Sequence, residues 1–128
     1  MMCQIASKYL NSPAIQEDID FAQESLQIKI RPDIVDVWKL SNGLFNDDGI
    51  YFFDTEIIKE RNETNEVFEY TSDLMMIGND SGGYGFFMKK NDFNDTTVYT
   101  IDVGAIGSIE PTVVAKNLEI WINNNFSE

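Results

Sequence analysis

The 128-residue sequence has no histidine, one cysteine and three prolines, and its 9 basic side chains face 22 acidic ones. Without histidine there is no Ser-His-Asp triad, no Cys-His pair and no histidine-ligated zinc. The lone Cys3 excludes an internal disulfide and a thiolate cluster. It also lacks a basic helper, so nucleophilic chemistry there is not expected. No stretch approaches the ~20 apolar residues of a membrane span. Met1-Met2-Cys3-Gln4-Ile5-Ala6 lacks the positive start and apolar run of a signal peptide, so the expected compartment is the cytoplasm.

The charge balance, −13, bears on partners. It repels phosphate backbones and anionic lipid, which excludes nucleic acid and membrane surfaces as natural targets. A basic protein is the partner that such a field attracts, although acidity also serves solubility alone. With 43% hydrophobic and 12% aromatic residues the chain has enough apolar material for a core, so disorder is not the default. A chain this long suits one domain that buries about two-thirds of its unfolded surface.

No repeat, low-complexity tract or linker divides the chain, and one domain over residues 1–128 is expected, with its core at about 12–126. Ser12-Pro13 reads as the cap and first turn of a helix whose Ile15, Ile19, Ala22 and Leu26 share a face. A second helix starts at Pro32, turns Ile34, Val37 and Trp38 inward, and stops at Asn42-Gly43. Ile50-Tyr51-Phe52-Phe53 is a short aromatic strand, after which Asp54 or Thr55 caps a brief helix carrying Ile57 and Ile58. Leu74-Met75-Met76-Ile77 enters a turn at Asn79-Asp80-Ser81-Gly82-Gly83. Strands then follow from Tyr84 and from Thr97, joined by a polar loop at residues 91–95. Lys89-Lys90 reads as protection of a strand edge. Pro111 opens a last helix with Val114, Leu118, Trp121 and Ile122 inward and Asn123-Asn124-Asn125 fraying its end. The order implies an α+β fold: a mixed, largely antiparallel sheet flanked by N-terminal helices and a C-terminal helix.

Few residues carry chemistry. The turn at residues 79–83 has no Gly-Lys-Ser/Thr end and no following helix, so it is not a phosphate loop. It also lacks the alternating acids and closing glutamate of a calcium loop. Asp47, Asp48, Asp92 and Asp95 lie in turns, where aspartate is favoured for backbone reasons, and no base, nucleophile and stabiliser can be grouped. Trp38 and Trp121 stand on apolar helix faces and read as core. No catalytic, cofactor or metal site is expected, and the chain is not expected to be an enzyme. The best electrostatic patch is the run from Asp54 to Asp73, which otherwise reads as a solvated face or loop. The acids chosen for partner binding are Asp47, Asp48, Glu56, Glu60, Glu63, Glu66 and Glu69. A rim of such charges speeds association and weakens with salt.

Taken together, Ile28-Lys29-Ile30-Arg31-Pro32, Val37-Trp38-Lys39-Leu40-Ser41-Asn42-Gly43, Met76-Ile77-Gly78-Asn79-Asp80-Ser81-Gly82-Gly83-Tyr84-Gly85-Phe86 and Val98-Tyr99-Thr100-Ile101-Asp102 resemble the SUKH superfamily, the domains related to the fungal Smi/Knr cell-wall assembly regulators. The resemblance covers residues 15–126, and it marks Pro32, Trp38, Asn42, Gly43, Gly78, Asp80, Gly82 and Gly83 as structural motif positions. Many relatives have leucine before the proline and an aspartate after the glycines. Here Arg31 and Gly83-Tyr84-Gly85 stand there, so no ligand role of that aspartate carries over. The resemblance implies an α+β domain and, for many bacterial members, an immunity protein that neutralises a contact-delivered toxin, often a nuclease. A regulatory interaction module, or a small-ligand domain using the sheet and the Asp80 turn, are the alternatives.

Overall fold

The computed structural model describes residues 11–126, so the expectations for Cys3 and for the first six residues lie outside the described part. Helix α1 (Gln16–Leu26) buries Ile19, Ala22 and Leu26. Ile15, expected on that face, occupies the N-cap in extended geometry and is 60% exposed, because it precedes the first helical turn. Ser12 and Pro13 do not cap the helix either. Residues 11–14 run along the end of the second helix instead, with Ala14 N–H donating to Trp38 C=O at 2.8 Å and Asn42 N–H to Ser12 C=O at 2.9 Å. Helix α2 (Pro32–Leu40) has its proline in the first turn, where a missing N–H costs nothing, and buries Ile34, Val37 and Trp38. It ends one residue earlier than the Asn42-Gly43 stop requires, through an extended Ser41. Asn42 is used differently: its amide oxygen accepts from Thr55 N–H at 2.9 Å and its Nδ2 donates to Thr55 Oγ1 at 3.0 Å.

Six strands follow: β1 (Leu44–Phe45), β2 (Tyr51–Phe52), β3 (Leu74–Asn79), β4 (Tyr84–Lys89), β5 (Val98–Asp102) and β6 (Thr112–Ala115). They form one sheet in sequence order, and every pairing is antiparallel. No crossover is made, so the parallel pairing that a mixed sheet implies does not occur. β4 lies inside the sheet, and Lys89 and Lys90 therefore guard no edge. Lys89 pairs with Asp95 at 3.3 Å and Lys90 sits 4.3 Å from the Phe68 ring centroid.

The residues between β2 and β3 fold into α3 (Ile58–Thr64) and α4 (Val67–Tyr70), where sequence had suggested one brief helix and a charged face or loop. Asp54 caps this segment, its Oδ1 accepting from Glu56 N–H at 2.9 Å and Ile57 N–H at 2.8 Å. The C-terminal expectation needs the larger correction. Pro111 precedes strand β6, and helix α5 (Leu118–Asn123) begins seven residues later, capped by Asn117 Oδ1 accepting from Ile120 N–H at 2.8 Å. β-Branched Thr112-Val113-Val114 favours the strand, and a proline is as well tolerated at the entry of an outer strand as at a helix start. The end does not fray. Phe126 N–H donates to Trp121 C=O at 2.7 Å, and its ring packs edge-on 4.9 Å from Trp121.

Trp38 and Trp121 are both fully buried. Trp38 Nε1 donates to Phe53 C=O at 2.9 Å, whereas Trp121 Nε1 has no acceptor among the described residues. Arg31 is fully buried as well. Its Nε and Nη2 form a fork on Asp33 at 3.0 Å each, and its Nη1 donates to the carbonyls of Lys89 and Asp92 at 2.8 Å each. One guanidinium thus ties the start of α2 to the loop between β4 and β5.

Two stability predictions follow from this joint and its loop. Arg31→Leu leaves three carbonyls without this donor and the Asp33 carboxylate without its cation, and is expected to cost about 3–5 kcal/mol, read as a lower urea midpoint. An unchanged midpoint would show that the joint is incidental. In the same loop, burial pushes Asp95 up, but hydrogen bonds from the Thr97 side chain and backbone, the Tyr99 hydroxyl and the Lys89 ammonium outweigh it and bring its pKa from 3.8 to about 2. A lowered pKa stabilises the fold above the unfolded value, and that contribution drains away between about pH 4 and pH 2. Asp95→Asn should therefore flatten this part of the acid limb in denaturant titrations at stepped pH.

Candidate functional site

Five of the seven acids expected from sequence to meet a partner lie on the α3–α4 segment and its entry, and all five are exposed. Glu63, Glu66 and Glu69 come together with Asn62 and Phe68 around a cavity of about 280 Å³. Glu60 stands apart from that cavity. The Arg61 guanidinium lies against its carboxylate, with Nη2 to Oε2 at 2.6 Å, and the hydrogen bonds from Arg61 and Thr64 hold its pKa below the ordinary range despite some desolvation. Glu63 also has a cation nearby, Lys59 at 3.7 Å. Glu56 is in the turn that Asp54 caps. Asp47 and Asp48 are not part of this surface at all. They lie in the β1–β2 loop, which is built on Asn46, whose Oδ1 accepts from Asp48 N–H and Ile50 N–H at 3.0 Å each.

The helical acids are held in place by a residue that sequence reading passed over. Asn62 is buried at the centre of α3, where its Oδ1 accepts from Met76 N–H at 2.8 Å and its Nδ2 donates to Met76 C=O at 3.0 Å. A buried asparagine inside an acidic helix has no signature in sequence alone, because its partner is a backbone that only the fold brings near.

The glycine-rich turn carries Asp80 as an anchor. Its Oδ1 accepts from Gly82 N–H at 2.7 Å and Tyr84 N–H at 3.0 Å. Ser81 Oγ donates to Gly49 C=O at 2.6 Å, and Asn46 Nδ2 to Asn125 C=O at 3.3 Å, so the Asp47–Asp48 loop is strapped both to this turn and to the chain end. Gly78 has a steric reason: a Cβ there would lie 2.3 Å from Tyr51 C=O, where β2 crosses closest to β3. Gly83 sits at φ +114°, while a Cβ at Gly82 would meet only ordinary contacts.

Beside the Asp80 turn the sheet forms a second cavity, of about 460 Å³, lined by Asp80, Tyr84, Phe86, Thr100, Thr112, Val114 and Phe126. Phe86 and Phe126 both pack on Trp121, with ring centroids 4.8 and 4.9 Å away. Apart from Asp80, sequence analysis had not singled out any of these as a site. Tyr84 and Phe86 alternate onto one face, but that Thr100 stands opposite Phe86 and Thr112 opposite Thr100 depends on strand register.

Among the described residues, no three acidic or sulfur side chains gather as metal ligands, and no helix is long and apolar enough to cross a membrane. What the structure defines is an α+β domain with acidic helices on one side and an aromatic, hydroxyl-bearing cavity on the sheet. The chain belongs to the SMI1/KNR4 family (SUKH-1), whose family model matches residues 13–124. No curated protein matches it significantly. Membership of this family supports an immunity or regulatory interaction module.

The two motif glycines should separate cleanly in a stability assay. Gly78→Ala forces β2 and β3 apart and is expected to cost about 2–3 kcal/mol, whereas Gly82→Ala should stay within about 1 kcal/mol. Equal midpoints for the pair in urea unfolding would contradict the close approach at Gly78.

Proposed function

We propose that this chain is an immunity protein that binds a basic toxin domain, a nuclease in its chemistry, and blocks it by occupying the groove that would hold nucleic acid. The observation that supports this is the convergence of Glu63, Glu66 and Glu69 on one exposed cavity in a chain of net charge −13 within this family. A nuclease groove is basic because it binds phosphates, and neighbouring carboxylates on an exposed helical surface compete for the same cations. No catalytic step is needed for that action, and SUKH domains are generally non-catalytic. The acids are exposed, so their contribution is to encounter rate and to salt-dependent affinity.

Co-expression with the product of each neighbouring gene, scored for rescue of growth and co-purification, tests the reading. Rescue through a stable complex is expected. If no neighbour is toxic and nothing co-purifies, the immunity reading falls and a regulatory module takes its place. In the complex, Glu63→Lys, Glu66→Lys and Glu69→Lys together should slow association about tenfold or more and flatten its salt dependence. Glu17→Lys, Asp20→Lys and Glu24→Lys together, an equal change of charge on exposed positions of α1, should do much less. Equal effects of the two sets would show that net charge, not this surface, governs binding.

A further inference from the structure

We propose that the cavity between the Asp80 turn and Phe126 receives an arginine side chain of the basic partner. This rests on the reading of the chain as a binder of a basic protein and assigns it a second, separate contact. At about 460 Å³ the cavity falls within the range of about 300–1,000 Å³ typical of ligand pockets. Its aromatic walls are Tyr84, Phe86 and Phe126, the latter two largely buried and braced by Trp121.

The polar groups are suited to a donor-only cation. Asp80 is oriented by the two backbone N–H groups on its Oδ1, and its Oδ2 takes no hydrogen bond among the described residues. Thr100 Oγ1 already donates to Gly85 C=O at 2.9 Å, so toward the cavity it can only accept. Thr112 adds a second hydroxyl. No lysine or arginine lines the cavity, and the carboxylate would repel a phosphate or carboxylate ligand. A guanidinium offers five donors in one plane and stacks on ring faces, which matches flat aromatic walls with oxygens between them better than a strongly hydrated ammonium does.

The test uses Nα-acetyl-arginine methylamide as probe and its citrulline analogue, the neutral isostere, as control, titrated into the full chain and followed by amide NMR. Saturable shifts confined to Asp80, Tyr84, Thr100 and Thr112, seen with the arginine probe and not with citrulline, are expected. Asp80→Asn keeps an oxygen for the two turn N–H groups while removing the charge, and should weaken the arginine shifts about five- to thirtyfold. Thr112→Val, on an exposed residue that does not support the turn, should weaken them as well. Shifts of equal size for both probes, shifts indifferent to Asp80→Asn, or no saturable shifts overturn the proposal. The probe is a small molecule, so this outcome is independent of whether a toxin partner is found. Failure of the co-expression experiment would leave the arginine result intact, and the reverse also holds.

Discussion

The shape of this domain depends on how the open edge of β3 is closed. β2 is two residues long and reaches only Gly78 and Asn79 of β3, so the first half of β3 would otherwise present a buried, unpaired backbone. An orphaned N–H or C=O in that setting is costly. Asn62 supplies both missing partners to Met76 from a single amide, as a neighbouring strand residue would, and its Nδ2 also donates to Ile58 C=O at 2.8 Å within its own helix. Where β2 ends, the strand slips register between Met76 and Gly78, and the displaced Ile77 carbonyl accepts from Phe53 N–H at 2.8 Å. One asparagine therefore fixes where α3 lies, and through it where the acids of α3 and α4 are displayed.

A second polar joint works at the start of β3, where Leu74 pairs with Lys89. Arg31 carries a full charge into the core, which is tolerable only because Asp33 forks onto it and the carbonyls of Lys89, Asp92 and Phe93 take its remaining donors. Asp33 keeps 26% of its side chain exposed, so the pair is half-solvated on the acidic side. The loop that supplies the carbonyls is stiffened in turn by Asp95, which binds Thr97, Tyr99 and Lys89. Arg31 is thus matched to its own loop. The two joints, Asn62 and Arg31, fasten helices to the sheet by hydrogen bonds, while the apolar core between them sets no such direction.

What could be read from sequence follows from which signals are local. The spacing of Ile34, Val37 and Trp38 behind a first-turn proline identifies α2, and the glycine-rich turn between apolar runs identifies β3 and β4. Pro111 was ambiguous because the same residue opens helices and outer strands, and the β-branched run after it decided in favour of β6. α4 was hidden by its length of four residues and by Glu66 in left-handed geometry at φ 53°. For the site, the acids at 63, 66 and 69 were visible as a charge run, but their convergence depended on that break between two helices. The aromatic cavity was not legible, since it is assembled from β4, β5, β6 and the chain end through register alone.

The two surfaces differ in the physics they offer a partner. Carboxylates on α3–α4 stand in water, where a Debye length of about 8 Å at physiological salt limits them to guiding approach and orientation. Several have cations of the chain itself nearby, as Lys59 and Arg61 show, which further softens their pull. The sheet cavity is the opposite case. Two of its three aromatic walls, Phe86 and Phe126, are largely buried, its carboxylate is held by backbone donors, and no cation of the chain lines it. On the proposed reading, a guanidinium held there between rings and a carboxylate would act on the lifetime of a complex more than on the rate at which it forms. Net charge alone would make this a promiscuous acid surface. On the proposed reading, the separate recess on the sheet is what lets the domain choose among basic partners.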